Sequence, residues 1–102
     1  MKQFQSKKQR RHTDISTLRE FVYQIDPDSE YGTWITVLMV IFNETRGSDE
    51  GFELADQWSS GGYEKYKDTK DVWSHWRYFR LDHPNPARLC TLIRIVEKKR
   101  IS

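Results

Sequence analysis

The sequence predicts an all-α fold: a compact bundle of about five helices in one domain over residues 14–102, preceded by a disordered basic tail over residues 1–13. Apolar residues recur at three- and four-residue spacings in several separate segments, which is typical of amphipathic helices. Proline, glycine and capping residues stand between these segments, where helices are expected to begin and end. The length of 102 residues suits a single domain with one core.

The predicted tail contains five cations and no acid, a composition typical of a disordered segment. No apolar stretch follows it, so it does not resemble a secretory signal. Cys90 is the single cysteine, which excludes an intramolecular disulfide and argues against a cysteine-based zinc site. We expect Cys90 to be partly buried and inert. These features favour a cytoplasmic protein.

The first helix is predicted from apolar residues at helical spacing between Ile15 and Ile25. Thr13 or Asp14 is its expected N-cap. Pro27 should end it, because the residue before a proline is driven out of the α region. Asp28 or Ser29 is then expected to cap the second helix.

The second helix contains the most apolar run of the chain, WITVLMVIF at residues 34–42. Its β-branched residues favour a buried strand. A continuous helical stripe (Tyr31, Trp34, Ile35, Leu38, Met39 and Phe42) and a terminating Gly47 favour a helix of about fifteen residues. We prefer the helix and expect the other helices to pack around it. The run is too short to span a bilayer.

Three further helices complete the predicted bundle. Asp49 should cap the third and Gly61 or Gly62 should end it, with Phe52, Ala55 and Trp58 facing inward. Thr69 or Asp71 should start the fourth, which buries Val72, Trp73, Trp76 and Phe79. Asn85 followed by Pro86 is a strong start signal for the fifth, whose apolar stripe is Leu89, Leu92, Ile93 and Val96.

Charge is unevenly distributed along the chain. Residues 1–13 carry a net charge of +5, residues 14–56 carry ten acids against two arginines (−8), and residues 57–102 carry ten bases against five acids (+5). Such asymmetry indicates either separate binding faces or solvated faces that are merely uneven.

The motifs of common catalytic and cofactor sites are missing. Neither a GxxxxGK[ST] phosphate loop nor a GxGxxG fingerprint occurs, and no nucleophile–base pair is visible. Asp26 and Asp28 could hold a metal, although Pro27 between them favours a turn and a cap. Asp71 and His75 lie four apart, which fits a capping aspartate beside a surface histidine. The sequence therefore predicts a binding module without catalytic residues, cofactor, metal or small-molecule substrate.

Several aromatic motifs resemble those of a known family in their order and spacing. The stretches are IDPDSEYGTWITVLMVIF, ELADQWSS, GYEKYKD, HWRYF and TLIRIVEK. They resemble the primase C-terminal domain family of type 2, small helical domains attached to archaeo-eukaryotic-type primases and primase-helicases of phages, plasmids and other mobile elements. The matching positions are Tyr31 and Trp34, Trp58 and Ser59, Trp76 with Arg77 and Phe79, and Thr91 with Leu92.

The resemblance covers about residues 14–97 and implies a part in DNA replication. It does not extend to a primase catalytic domain or a helicase domain, so the chain is expected to be an accessory protein or one domain of a longer protein. The chain departs from the family at Leu38 and Val40, where the family has small residues. It also has Asn85-Pro86 where the family has a threonine at the start of the last helix.

Two functions follow as hypotheses. The first is a non-enzymatic accessory that binds DNA, single-stranded or primer–template, through a basic surface without sequence specificity. Trp73 would be a stacking platform there, or part of the core. The candidate residues are Lys7, Lys8, Arg10, Arg11, Lys65, Lys67, Lys70, Trp73, Arg77, Arg80, Arg88, Lys98, Lys99 and Arg100.

The second hypothesis is a protein-interaction adaptor or inhibitor. Its acidic 14–56 surface would dock on a primase, polymerase, helicase or host protein, because charge complementarity steers such encounters. The candidate residues are Glu44, Asp49, Glu50, Glu53 and Asp56.

Overall fold

A computed structural model describes residues 14–81 and 86–101, with side chains described to residue 98. Within these ranges the chain forms five α-helices and no β-strand, which confirms the all-α prediction. The helices, α1 to α5 in chain order, are Ile15–Val22, Tyr31–Thr45, Asp49–Ser59, Thr69–Trp76 and Leu89–Ile101. The predicted tail and the predicted cap Asn85 lie outside the described residues.

Helix α1 begins after Asp14, whose extended backbone makes it the N-cap, as one of the two alternatives predicted. The helix ends at Val22, earlier than the apolar spacing suggests, and a turn carries Ile25 back into the core. The indole Nε1 of Trp58 donates to the carbonyl of Ile25 at 2.9 Å, which satisfies a buried polar atom at each end. This bond fastens the turn after α1 to α3.

Helix α2 is the hub of the bundle, since it packs against all four other described helices. It runs for fifteen residues, so the helix interpretation of the apolar run is confirmed and the strand alternative is wrong. Val37, Leu38, Val40 and Ile41 are fully buried, because an apolar circumference can be covered by neighbours on several sides. The bulky Leu38 and Val40 therefore face packed helices.

The N-terminal cap of α2 differs from the prediction, whereas the C-terminal end agrees with it. Glu30 is the N-cap, without a side-chain hydrogen bond, so the expectation that Asp28 or Ser29 caps α2 is wrong. Tyr31, the first residue of the predicted helical stripe, lies in the first turn and is 61% exposed. At the C-terminal end Gly47 has the expected positive φ, 71°, and Arg46 also adopts the left-handed conformation with φ 56°.

Helix α3 is capped one residue earlier than predicted, and α4 begins at Thr69, one of the two predicted starts. The Ser48 side chain accepts from the backbone N–H of Gly51 at 3.1 Å, and Asp49 becomes the first helical residue. The Asp68 carboxylate accepts from the N–H of Asp71 at 2.8 Å. Both side chains satisfy donors that a helix N-terminus otherwise leaves free.

Helix α5, by contrast, begins later than predicted, at Leu89 and not at Pro86. The segment before it is fixed to α2, because the Asn43 side-chain amide donates to the carbonyl of Ala87 at 2.8 Å. Leu92 and Val96 face the core. Cys90 on this helix is exposed, so the expectation that it is partly buried is wrong.

One apolar core joins the five helices. The buried residues are Leu18, Val22, Ile25, Val37, Leu38, Val40, Ile41, Leu54, Ala55, Trp58, Val72, Trp76, Leu92 and Val96. Phe42 packs edge-on against Trp76 with ring centroids 5.1 Å apart, a favoured aromatic geometry. None of the five described helices has the length and apolar character that a membrane crossing requires.

Candidate nucleic-acid interface

Helix α4 presents a row of two cations and an aromatic ring to solvent. Lys70, Trp73 and Arg77 are all exposed, and spacings of three and four residues place them on one helical face. We call these three residues the α4 row. Lys65 and Lys67, on the loop before α4, are exposed as well. The structure thus leaves five of the predicted DNA-binding residues exposed on α4 and on the loop before it.

Trp73 is the aromatic member of the row, and it is 48% exposed. Its ring packs edge-on against Phe52 of α3, with centroids 5.3 Å apart and planes at 86°. Phe52 in turn contacts the buried Trp76 at 5.7 Å. Trp73 therefore sits on the core without entering it, as the stacking-platform alternative requires. The prediction that α4 buries Trp73 is wrong.

Arg77 closes the row at the C-terminal end of α4. Its guanidinium lies over the ring of Tyr78, 5.2 Å from the centroid, within the range of a cation–π contact. Arg80 follows and is also exposed. The contact with Tyr78 orients Arg77 and leaves its charge at the surface.

The loop that carries Lys65 and Lys67 is shaped by a carboxylate from the turn after α1. Asp28 accepts backbone hydrogen bonds from Tyr63 at 2.8 Å, Lys65 at 3.1 Å and Glu64 at 3.2 Å. The bond from the Tyr63 N–H is the largest cause that lowers the pKa of Asp28 below its ordinary value, and the Lys65 and Glu64 N–H groups add to it. Asp28 is thus a loop anchor and not a helix cap.

Gly62 makes this close approach possible. A Cβ atom at position 62 would lie 2.5 Å from Oδ1 of Asp28 and 3.2 Å from its Cγ. Any larger residue would therefore push the carboxylate away from the loop. The glycine pair follows the end of α3 at Ser59, as predicted, and Gly62 also leaves room for the Asp28 carboxylate.

A pocket of about 250 Å³ opens between this loop, the start of α2 and α4. Trp34 and His75 meet edge-on at 5.1 Å between ring centroids, and Tyr31 lies 5.9 Å from Trp34 and 6.0 Å from His75. Tyr66, Lys65 and Lys67 also line the space, and we call it the aromatic pocket. The Trp34 indole N–H donates to the hydroxyl of Ser59 at 3.0 Å.

This pocket was not predicted as a site. Two signals pointed to parts of it: the family pair Tyr31 and Trp34, and the four-residue spacing of Asp71 and His75. The Nδ1 of His75 lies 2.9 Å from the carbonyl oxygen of Asp71, so it must carry the proton, since a carbonyl only accepts. The contact fixes the imidazole against Trp34. Trp34 and Ser59, from two different family motifs, meet at the pocket floor.

Two predicted binding residues serve the fold instead. Glu44 was assigned to an acidic partner surface and Arg88 to DNA. The structure buries Glu44 and pairs it with Arg88, 3.0 Å from Oε2 to Nε. Burial follows because Glu44 lies on the α2 face that meets α5. Glu44 is therefore no surface residue, and the Arg88 charge is already used within the chain.

The remaining candidates divide between surface and interior. Asp49, Glu50 and Glu53 are exposed on α3. Asp56 of α3 accepts from the Tyr66 hydroxyl at 3.1 Å and from the Thr69 hydroxyl at 2.9 Å, so it holds the loop and the first residue of α4 against α3.

Lys98 lies on α5 and lines a different groove, with Ile25 and Thr33. Within residues 14–81 and 86–101, no three His, Cys, Asp or Glu side chains group so that they could hold a metal ion. Candidates outside the described side chains are Lys7, Lys8, Arg10, Arg11, Lys99 and Arg100.

The helical bundle, with motif residues that converge on the aromatic pocket, defines a small all-α domain. The family model described as Primase C terminal 2 (PriCT-2) matches residues 18–95. The chain belongs to this family, which associates it with primase and replication systems and confirms the predicted resemblance. Comparisons with curated proteins and with solved structures found no match.

Proposed function

We propose that this chain is a non-enzymatic accessory module of a phage or mobile-element replication system, and that it binds DNA through the α4 row and the adjacent lysines. The observation that carries the proposal is the arrangement of Lys70, Trp73 and Arg77 on one exposed face, with Trp73 held on Phe52. Membership of a primase C-terminal family supports the replication context.

The chemistry of the row suits a polyanion with stackable bases. Cations that neutralise phosphates release condensed counterions, which makes binding strongly dependent on salt. An exposed indole stacks on any base, so it adds affinity without sequence preference. The row contains no asparagine or glutamine to read base edges, and Arg77 is engaged with Tyr78. We therefore expect non-specific binding.

A salt titration with a labelled single strand tests the proposal. Combining Lys70→Ala with Arg77→Ala removes two cations from the row, and the slope of log affinity against log salt should become shallower by about 1.4. The control combines Arg19→Ala with Arg94→Ala, which removes the same charge from α1 and α5. If the wild-type chain shows no binding at about 50 mM salt, or if both double variants behave alike, the proposal fails.

The basic tail is proposed to add to this affinity, because residues 1–13 carry five cations and no acid. Deleting residues 1–12 should leave the folded domain intact and should weaken DNA binding, with a shallower salt slope. An unchanged slope would show that the tail does not contact phosphate.

A second candidate function uses α3. Asp49, Glu50 and Glu53 remain exposed there after Glu44 and Asp56 are accounted for by internal contacts. This narrower acidic surface could dock on a basic face of a primase, polymerase, helicase or host protein. Combining Glu50→Lys with Glu53→Lys should abolish co-purification of such a protein from the native host. Recovery of the wild-type chain alone would contradict the adaptor function.

A further inference from the structure

We propose that the aromatic pocket binds one unpaired nucleotide, with its base against Tyr31, Trp34 and His75 and its phosphate near Lys65 and Lys67. This deepens the proposed function and rests on it for the source of the nucleotide, since a single strand held by the α4 row can supply an unpaired base. The same pocket chemistry would also accept a free mononucleotide.

The size and lining of the pocket suit a base. Pockets for drug-sized ligands measure about 300–1,000 Å³, so a pocket of about 250 Å³ suits a smaller planar group. The floor is aromatic, and Tyr31 leaves most of its ring exposed at the mouth. A base entering there can stack on the Tyr31 ring with little rearrangement of the core.

The charges around the pocket orient the ligand. Lys65 and Lys67 lie on the loop side, while Asp71 lies on the α4 side. A phosphate is attracted to the lysines and repelled by the carboxylate of Asp71. Asp71 can instead accept a hydrogen bond from an amino group on the base.

The loop side of the pocket is preorganised by hydrogen bonds within the chain. Asp28 holds the backbone of residues 63–65, and Lys65 Nζ donates to the carbonyl of Ser29 at 3.0 Å. Tyr66 is held by Asp56. A site whose walls are already fixed loses less conformational entropy on binding.

The pocket also gives a reason for preferring single strands. A base inside a duplex is stacked and paired, and taking it out costs free energy. An unpaired base avoids most of that cost, so the pocket adds affinity to a single strand and little to a duplex. The α4 row alone should bind both.

The experiment compares a labelled single strand of about 12 nucleotides with its duplex, using the full chain and two tyrosine variants. Tyr31→Ala removes the exposed pocket ring. Tyr63→Ala is the matched control, because Tyr63 is 97% exposed, lies in the neighbouring loop and does not line the pocket. Tyr31→Ala should lower single-strand affinity roughly 5- to 100-fold and leave duplex affinity unchanged. Tyr63→Ala should change neither.

A second measurement separates the two sources of nucleotide. Deoxyadenosine monophosphate is titrated while the NMR signals of the Trp34 indole and the His75 ring are followed. The pocket proposal is supported if both signals are perturbed and if deoxyadenosine, which has no phosphate, binds more weakly. If this occurs while no strand binds, only the proposed DNA function fails. Strand binding that is equally strong in Tyr31→Ala and Tyr63→Ala overturns the pocket and leaves the DNA function standing. Absence of both strand and mononucleotide binding overturns both.

Discussion

Glu44 on α2 and Arg88 ahead of α5 form an ion pair in which only the arginine reaches solvent. The Glu44 side chain is 3% exposed and that of Arg88 is 47% exposed. Glu44 Oε2 also accepts from the backbone N–H of Leu89 at 2.7 Å. The carboxylate therefore caps the first turn of α5 from a neighbouring helix, and it ties the last helix to the hub.

Replacing Glu44 with alanine should destabilise the fold. The Leu89 N–H would lose its acceptor and Arg88 its partner, at a cost of about 1–3 kcal/mol. Urea unfolding followed by circular dichroism measures the change. Glu53→Ala on exposed α3 is the control and should stay within about 0.5 kcal/mol of wild type. Equal midpoints for the two variants would contradict the capping role.

Gly51 marks the closest approach between α3 and the end of α2. A Cβ atom at position 51 would lie 2.8 Å from the Cβ of Thr45, and Thr45 is held by its own hydrogen bond to the carbonyl of Ile41 at 2.7 Å. Gly51→Ala should therefore destabilise the fold by about 1–3 kcal/mol despite the better helix propensity of alanine.

A second substitution tests whether the contact with Thr45 is what destabilises Gly51→Ala. Adding Thr45→Ala removes Oγ1 and Cγ2, which also lie against position 51, and should recover part of the lost stability. A double variant that is as unstable as the sum of its two single variants would show that the contact is not the reason.

The hydrogen bonds between Asp28 and the loop backbone should weaken at acid pH. The pKa of Asp28 is lowered from 3.8 by the N–H groups of Tyr63, Lys65 and Glu64. The anchoring contribution is therefore complete above 3.8 and is lost as the pH falls through the lower pKa of the folded state. The NMR signals of the three amide protons should report this titration. Asp28→Asn should remove it, and a midpoint at or above 3.8 would contradict the anchor.

Cys90 should react in the native state. It is the single cysteine and it is exposed on α5, so a thiol reagent should label one group per chain without denaturant, at a rate close to that in urea. Labelling should leave the unfolding midpoint unchanged, since the thiol is outside the core. Slow labelling that accelerates only on unfolding would show the residue to be buried.

The sequence was sufficient to predict the helices and the hub. Helical spacing marks α1 and α2, and Gly47 marks the end of α2, because local conformational preferences act over a few residues. Pro27 does not mark the end of α1, which stops at Val22. The caps were less predictable. Ser48 and Asp68 compete with adjacent polar residues for the same role, and only the backbone geometry decides between them.

The site was predictable only in part. The exposure of Lys70 and Arg77 was predictable because charged side chains stay in solvent, whereas helical spacing placed Trp73 on the buried side of α4. The pairing of Glu44 with Arg88 joins positions 44 residues apart. The distribution of charge along the sequence does not reveal such a pairing, so both residues were predicted to lie on the surface. The anchoring of residues 63–65 by Asp28 joins positions 35 to 37 residues apart. Nothing in the local sequence distinguishes an anchoring carboxylate from a capping one.

Asp28 accepts hydrogen bonds from the backbone N–H groups of residues 63–65. The shape of that loop therefore does not require particular side chains at Tyr63 or Glu64, provided that Gly62 stays small. Substitutions there can alter the charge and chemistry at the pocket mouth while the backbone scaffold persists. This loop is thus the place where the ligand preference of the domain can diverge among relatives, or be redesigned, without rebuilding the bundle.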